Sequence, residues 1–127
     1  MPYYPSQGHR TLLGAIKSAN FNDTGDQAIP IPYAKYIIRQ VVVTNASTSL
    51  TLAAGGVYSA TSKGGTTIVA AAQVYTALTA ASKWIDLTLA AGPTTDTLTS
   101  ATIYLSLTTG QGGAATADCY VYGDVLP

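Results

Sequence analysis

Short runs rich in β-branched residues, separated by turn-forming residues, constrain the fold of this chain more than any other sequence feature. The clearest run is Tyr36–Thr44 (YIIRQVVVT), which is too short and too branched to favour a helix. Because both of its faces are largely apolar, we expect a central strand of a sandwich, or a strand with one face covered by another subunit. This run predicts β-structure at the centre of the fold.

Similar strand patterns recur along the rest of the chain. In residues 101–107 the positions predicted to face the core are Ala101, Ile103, Leu105 and Leu107, and those predicted to face outward are Thr102, Tyr104 and Ser106. The other predicted strands are residues 10–16, 27–31, 49–52, 57–60, 85–89 and 116–122. Residues 20–26 predict a polar loop, residues 55–56 and 63–65 predict tight reversals, and residues 110–113 predict a hairpin connection.

Residues 67–81 fit two patterns. Ile68, Tyr75 and Leu78 lie near helical spacing in an alanine-rich segment, whereas Val74 and Leu78 also fit one face of a strand. Because the surrounding segments are β, we expect a strand with a turn at residues 79–82. About eight strands at nearly regular spacing, with no long helix, predict an antiparallel sandwich, jelly roll or barrel over residues 10–127. Residues 1–9, with two prolines, predict an extended arm.

Composition argues against several classes of partner. Only 9% of the 127 residues are charged, and six Lys and Arg residues balance six Asp residues. A neutral chain has no bulk field to attract phosphates or anionic lipid, so we expect neither nucleic acid nor a membrane surface as a partner. The long uncharged stretches are interrupted by Thr, Ser and Gly, unlike transmembrane helices.

Groups that support catalysis are scarce. His9 is the single histidine and lies in the predicted arm, where no scaffold would hold it. Cys119 shares the apolar face of a predicted strand with Val121, which favours a small buried hydrophobe over a nucleophile. The acidic loop at residues 22–26 does not match the spacing of a calcium loop, and Asx turns explain it. We therefore expect no enzyme, no catalytic residue, no cofactor and no metal.

The aromatic residues point to a surface that binds other molecules. The chain has nine Tyr residues against one Phe and one Trp. Amphipathic rings outside a core serve protein contact, stacking on sugars, or no particular role, and interface composition favours protein contact. The predicted protein-interface residues are Tyr3 and Tyr4 in the arm, and Trp84, Tyr104, Tyr120 and Tyr122 on faces opposite the predicted core.

Several segments together resemble small virion proteins of tailed bacteriophages and prophages, the jelly-roll cement or capsid decoration proteins. These segments are residues 55–75 (GGVYSATSKGGTTIVAAAQVY), 78–89 (LTAASKWIDLTL), 103–118 (IYLSLTTGQGGAATAD) and 119–127 (CYVYGDVLP). The resemblance covers residues 10–127 and contains no catalytic motif.

This resemblance implies a jelly-roll β-sandwich that binds the outer surface of an assembled phage head and bridges neighbouring major capsid subunits. It also implies self-association as a homodimer or homotrimer, a place on the virion surface, and presence in the host cytoplasm during assembly. It supplies no functional residues position by position. The alternative is a carbohydrate-binding β-sandwich of a phage tail or receptor-binding apparatus, in which Trp84 and tyrosine rings stack on sugars.

Deletion of residues 1–9 should leave the fold intact but weaken attachment to heads or to sibling subunits. The prolines limit the disorder lost on docking, and Tyr3 and Tyr4 bury a large area at low entropic cost. Thermal melting of the shortened chain, together with its occupancy on heads, measures both effects. Unchanged occupancy contradicts a role for the arm.

Overall fold

The computed structural model describes residues 10–127, which form two four-stranded antiparallel sheets around one core. The strands are β1 (Thr11–Asn20), β2 (Asp26–Pro30), β3 (Tyr36–Thr44), β4 (Ala54–Ala60), β5 (Gly64–Val69), β6 (Trp84–Asp86), β7 (Thr102–Thr109) and β8 (Thr116–Val125), and one short helix, α1 (Ala91–Thr95), precedes β7. The predicted arm, with His9, Tyr3 and Tyr4, lies outside the described residues.

The strand order follows a nested pattern. The first sheet has the order β1-β8-β3-β6 and the second β2-β7-β4-β5. Strand β1 pairs with β8, β2 with β7, β3 with β6 and β4 with β5, all antiparallel. Rolling up one long antiparallel hairpin produces this nesting, which is consistent with the jelly roll implied by the resemblance. The predicted antiparallel β-sandwich of about eight strands is confirmed.

The core lies between the two sheets and is built by alternation. Strand β3 lies between β8 and β6, as predicted for a central strand, and buries Val41 and Val43. From the other sheet, β7 buries Ile103, Leu105 and Leu107, which confirms the inward positions predicted for them. Burial of each such side chain contributes about 1.5–3 kcal/mol, so these alternating faces supply most of the stabilisation.

Tyrosines in the core have partners for their polar ends. The Tyr75 ring packs edge to face on Phe21 with centroids 5.0 Å apart, and its hydroxyl donates to the Gly55 carbonyl at 3.0 Å. The Tyr36 hydroxyl donates to the Ser100 carbonyl at 2.8 Å. Burial raises the pKa of Tyr36 to about 12 and raises the pKa of Tyr75 further. Both rings therefore act as large core residues.

The prediction of a reversal at residues 55–56 is wrong, because both glycines lie inside β4. A Cβ atom at Gly56 would lie 1.9 Å from the Val69 carbonyl oxygen, and Gly55 has φ of 151°. Neighbouring backbones approach too closely here for any side chain. Sequence alone does not separate this use of a glycine pair from a turn.

Residues 67–81 form neither the predicted strand nor a helix beyond Val69, where β5 ends. The segment continues as a loop that sends Tyr75 and Leu78 into the core. Carbonyls of this loop accept hydrogen bonds from other parts of the chain. The Gln73 carbonyl accepts from the Gly55 amide at 2.9 Å, and the Leu78 carbonyl accepts from the Leu50 amide at 3.0 Å. Tertiary contacts thus replace the regular pairing that the pattern predicted.

Three further predictions are corrected. Residues 49–52 do not form a strand, and Leu52 is 62% exposed while Leu50 is buried. Both the Leu52 and Ala53 amides donate to Gln111 Oε1, so a side chain takes the place of a neighbouring strand. Residues 110–113 do not close a hairpin, because β7 and β8 belong to different sheets. Ala101 is exposed, because β7 begins after it.

Substitution of Gly56 by Ala should lower the free energy of unfolding by about 3 kcal/mol, because the added methyl group meets fixed backbone. Gly113→Ala is the matched control, since a Cβ atom there meets nothing within 4 Å. Urea denaturation of both variants measures the difference. Equal stability of the two variants would place Gly56 in an open reversal after all.

Candidate functional site

The outward side chains of the first sheet form a continuous surface that we call the open face. Residues directly opposite on paired strands share a face, so the register arranges these side chains in rows that cross the sheet. The upper row contains Leu12, Tyr122 and Gln40; the middle row contains Ala15, Tyr120, Val42 and Asp86; and the lower row contains Asp118, Thr44 and Trp84. The backbone of Lys17 lies level with the lower row, between Ile16 and Ala19, which pair with Cys119 and Ala117. Its ammonium reaches over the Tyr120 ring of the middle row.

The structure brings three of the predicted interface residues together on this face. Trp84 is 61% exposed, while Tyr120 and Tyr122 are half-buried among their neighbours on the sheet. All three point away from the core, as the alternation predicts. Tyr104 lies instead on the outer face of the second sheet, opposite Tyr58. Binding of protein by these residues remains a prediction.

The chain itself covers part of the outer face of the second sheet. The turn between β4 and β5 is fastened there, because the Ser62 amide donates to Asp26 Oδ2 at 2.8 Å. The Lys63 ammonium donates to Ser106 Oγ at 3.0 Å, and Ser106, predicted to face outward, is fully buried. Tyr58 on the same face is only 4% exposed. The two outer faces therefore differ, and the first sheet carries the more accessible rings.

Asp118 holds the lower row of the open face in place. Its carboxylate accepts hydrogen bonds from the Ser18 amide at 2.7 Å and from Asn45 Nδ2 at 3.1 Å. Ser18 and Asn45 have φ of 53° and 59°, a left-handed backbone region that few residues other than glycine adopt, although Asn does so more often than most. Burial opposes the charge on Asp118, but these hydrogen bonds and nearby Lys17 lower its pKa overall.

Charges on the open face balance one another. The basic groups are Arg10, Lys17 and Arg39, and the acidic groups are Asp86, Asp118 and Asp124. Arg39 Nε lies 2.7 Å from Asp124 Oδ2. The Lys17 ammonium donates a hydrogen bond to Tyr120, which raises the pKa of Lys17. Gln40 links Arg10, at 3.1 Å, to Asp86, at 2.6 Å. The formal charges of these six groups sum to zero.

A cavity of about 470 Å³ opens beside the loop that follows β5, and its lining consists of apolar side chains with one Gln and one Thr. The lining residues are Ala70, Ala72, Gln73, Val74, Thr88, Leu89 and Ala90, none of them titratable or aromatic. Both ends of the Gln73 amide are occupied, by the Thr88 amide at 3.0 Å and the Val74 carbonyl at 2.8 Å. The lining offers no group for proton transfer.

The remaining candidate groups have structural roles. Asp23 Oδ1 accepts from the Gly25 amide at 2.8 Å, so the acidic loop forms the Asx turn that its sequence predicts. Cys119 is fully buried, as predicted, and burial raises the pKa of its thiol to about 12. Within residues 10–127 no three His, Cys, Asp or Glu side chains lie together in a way that suits a metal ion.

Sequence reasoning missed the residues that organise the open face. Lys17 and Asp86 belong to segments far apart in the chain, and the register that places them on one surface is set by pairing of β8 with β1 and β3. Asp118 carried one signal, since a charged residue in an apolar strand needs partners. Its partner Ser18 lies 100 positions away, beyond the reach of any local pattern.

Comparison with models of protein families, with curated proteins and with solved structures found no match to this chain. In the part of the chain that the structure describes, no helix combines the length and apolarity needed to cross a bilayer.

Replacement of Asp118 by Ala should lower the free energy of unfolding by about 2 kcal/mol at neutral pH, because it removes hydrogen bonds to a charged group. The pKa of Asp118 is lower in the folded chain, so this stabilisation is present above the ordinary value of 3.8 and is lost as pH falls through the folded value. Urea denaturation of the wild type and the variant at several pH values measures the difference.

Asp124→Ala is the matched control, because the Arg39 contact it removes is exposed and worth at most about 1 kcal/mol. Some acid dependence should persist in Asp118→Ala, since the amide of Ser62 also lowers the pKa of Asp26. A wild type and variant that differ equally at all pH values would show that the charge of Asp118 contributes nothing.

Proposed function

We propose that this chain is a structural virion protein, a cement or decoration protein that binds the outer surface of a tailed-phage head. In this role it stabilises contacts between major capsid subunits and associates with copies of itself, on the virion and, during assembly, in the host cytoplasm. The observation that carries the proposal is the open face, a charge-balanced surface bearing Trp84, Tyr120 and Tyr122. The resemblance of residues 10–127 to jelly-roll cement proteins supplies the class of partner.

The physical action of such a protein is adhesion. A cement protein adds buried contact area at seams that the capsid protein alone closes weakly. Tyrosine and tryptophan suit this action because they bury large apolar areas while keeping a polar group for hydrogen bonding. Each copy needs only a modest interface, since many symmetric copies act together. Neutral charge favours a protein partner over nucleic acid or a membrane.

A structural role also fits the use the chain makes of its polar groups. Ser106 and Lys63 lie 3.0 Å apart, the spacing of a nucleophile and its base. However, Ser106 is fully buried, so a substrate has no access to its hydroxyl. The Asp118 carboxylate already accepts hydrogen bonds from a backbone and a side-chain donor, and the Cys119 thiol is fully buried in the core. These contacts support a protein without catalytic function.

Carbohydrate binding is the second candidate, and one observation favours it. The indole of Trp84 is 61% exposed, and exposed indole rings stack on sugars. Against it, the lining of the cavity beside β5 contains no aromatic ring, so Trp84 would act without a groove there. A glycan array separates the two candidates, because a cement protein shows no saturable sugar binding.

Trp84→Ala and Tyr104→Ala should each lower occupancy on purified heads more than they lower the stability of the isolated chain. Both side chains point away from the core, so truncation removes contact area for a partner and changes the fold by less than about 1 kcal/mol. Cryo-electron microscopy of heads incubated with each variant measures occupancy, and thermal melting measures stability.

Leu52→Ala is the matched control, because Leu52 is as exposed as Trp84 but is not among the predicted interface residues. Wild-type density on the tail, or on no part of the particle, would refute the cement role. If the melting temperature of a variant falls far enough to explain its lost occupancy, the side chain stabilises the fold and not the contact.

A further inference from the structure

We infer that the open face is the contact between two copies of this chain, packed sheet against sheet about a two-fold axis parallel to the strands. This inference deepens the self-association in the proposed function and rests on that part of it. It leaves the contact with the shell to surfaces outside the open face, such as the outer face of the second sheet that bears Tyr104. It assigns the occupant of the face, the symmetry of the contact and the residues that meet.

Symmetry limits the ways in which two copies can meet through one face. A two-fold axis that brings a sheet face onto itself lies in the plane of the contact, and aligned sheets keep their strands within about 30° of each other. An axis parallel to the strands leaves each row opposite the same row but exchanges the two edges. Strand β1 of one copy then lies over β6 of the other.

The edges that meet in this way are complementary. The ammonium of Lys17, which lies over Tyr120 of its own chain, sits between the levels of Asp86 and Trp84 of the second copy, and a carboxylate and an indole face both attract a cation. In the middle row, Ala15 lies opposite Asp86. The small side chain of Ala15 leaves room for the carboxylate, and Lys17 on the same strand supplies the opposite charge. The two-fold axis repeats both contacts.

The central strands also match. Tyr120 lies opposite Val42 of the second copy, and Tyr122 lies opposite Gln40. The first pair buries apolar area, and the second offers the tyrosine hydroxyl an amide partner. Asp118 lies opposite Thr44, so its carboxylate meets no like charge. Each of these pairs therefore joins groups that attract each other or do not repel each other.

A two-fold axis running across the strands gives a poorer contact. It leaves each strand opposite itself and reverses the rows about the middle one. Asp86 would then face Asp86 of the second copy, and Lys17 would face the apolar Leu12. Like charges opposed across an interface are strongly unfavourable, so the charge pattern selects the axis along the strands.

The available area sets the strength expected of the contact. Four strands spaced about 4.8 Å apart, which average about eight residues because β6 has only three, cover about 500 Å² per copy at 3.3 Å per residue. A pair buries about 1,000 Å², the lower limit for a specific interface. We therefore expect a weak dimer that forms with increasing concentration and is reinforced when many copies are held on one assembly.

Analytical ultracentrifugation of the full chain over a concentration series tests the contact. The wild type should shift from monomer to dimer, and added salt should weaken the dimer. Asp86→Lys places like charges beside Lys17 and should raise the dimer Kd at least about tenfold, and Trp84→Ala should do the same. Leu52→Ala, outside the face, should leave the Kd unchanged.

Two further variants test the arrangement. Lys17→Glu should weaken the dimer, and the double variant Lys17→Glu with Asp86→Lys should restore it, because the charges exchange places. Since Lys17→Glu adds a carboxylate near Asp118, the melting temperature of each variant shows whether the fold persists. If Lys17→Glu unfolds the chain, Asp86→Lys and cross-linking decide the question without it.

Cross-linking identifies the axis. The native Cys119 is fully buried, so a cysteine introduced at the surface reacts alone. A short bis-maleimide should join Ala15→Cys chains to Asp86→Cys chains in a mixture, and should not join Ala15→Cys chains to one another. A chain that stays monomeric at every concentration, or Ala15→Cys chains that link to themselves, would overturn the proposed contact.

The outcomes separate this inference from the capsid role. A chain that dimerises through the open face but leaves no density on heads refutes only the capsid proposal. A chain that decorates heads as a monomer, with the open face against the shell, refutes only the contact between copies.

Discussion

The alternation along β8 is the constraint on which the rest of the structure depends. This strand pairs on both sides, with β1 and with β3, and so fixes the register of the first sheet. Its inward residues, Ala117, Cys119 and Val121, enter the core. Its outward residues, Asp118, Tyr120 and Tyr122, build the centre of the open face. A slip of one residue would exchange the two sets and put a carboxylate in the core.

Asp118 ties this register to the ends of the neighbouring strands. The Ser18 amide lies at an irregularity in β1, and Asn45 follows the end of β3; both point their donors at the same carboxylate. A strand with an extra residue at this position loses ladder hydrogen bonds, and the side chain of Asp118 replaces one of them. The carboxylate thus stabilises the fold and positions the lower row of the surface in one step.

The parts of this fold that could be predicted are those set by local alternation. Ile103, Leu105 and Leu107 repeat with the period of a strand, and Trp84 lies out of phase with Ile85, so their directions follow from sequence. Residues 70–81 could not be predicted, because Tyr75 and Leu78 reach the core from a loop whose backbone is held by distant partners. The glycine pair in β4 was wrongly predicted to form a turn for the same reason. The backbone that leaves no room for a side chain there belongs to the distant strands β5 and β7.

The arrangement of exposed edges explains why association would use a face. Edge strands offer unpaired backbone groups and invite continuous strand addition. In the first sheet, one edge strand, β6, has only three residues, and the other, β1, has register shifts at two places. Both features hinder the addition of another strand. The open face has no such obstruction, and a two-fold contact through a face closes after two copies, whereas pairing along a strand edge can continue from copy to copy.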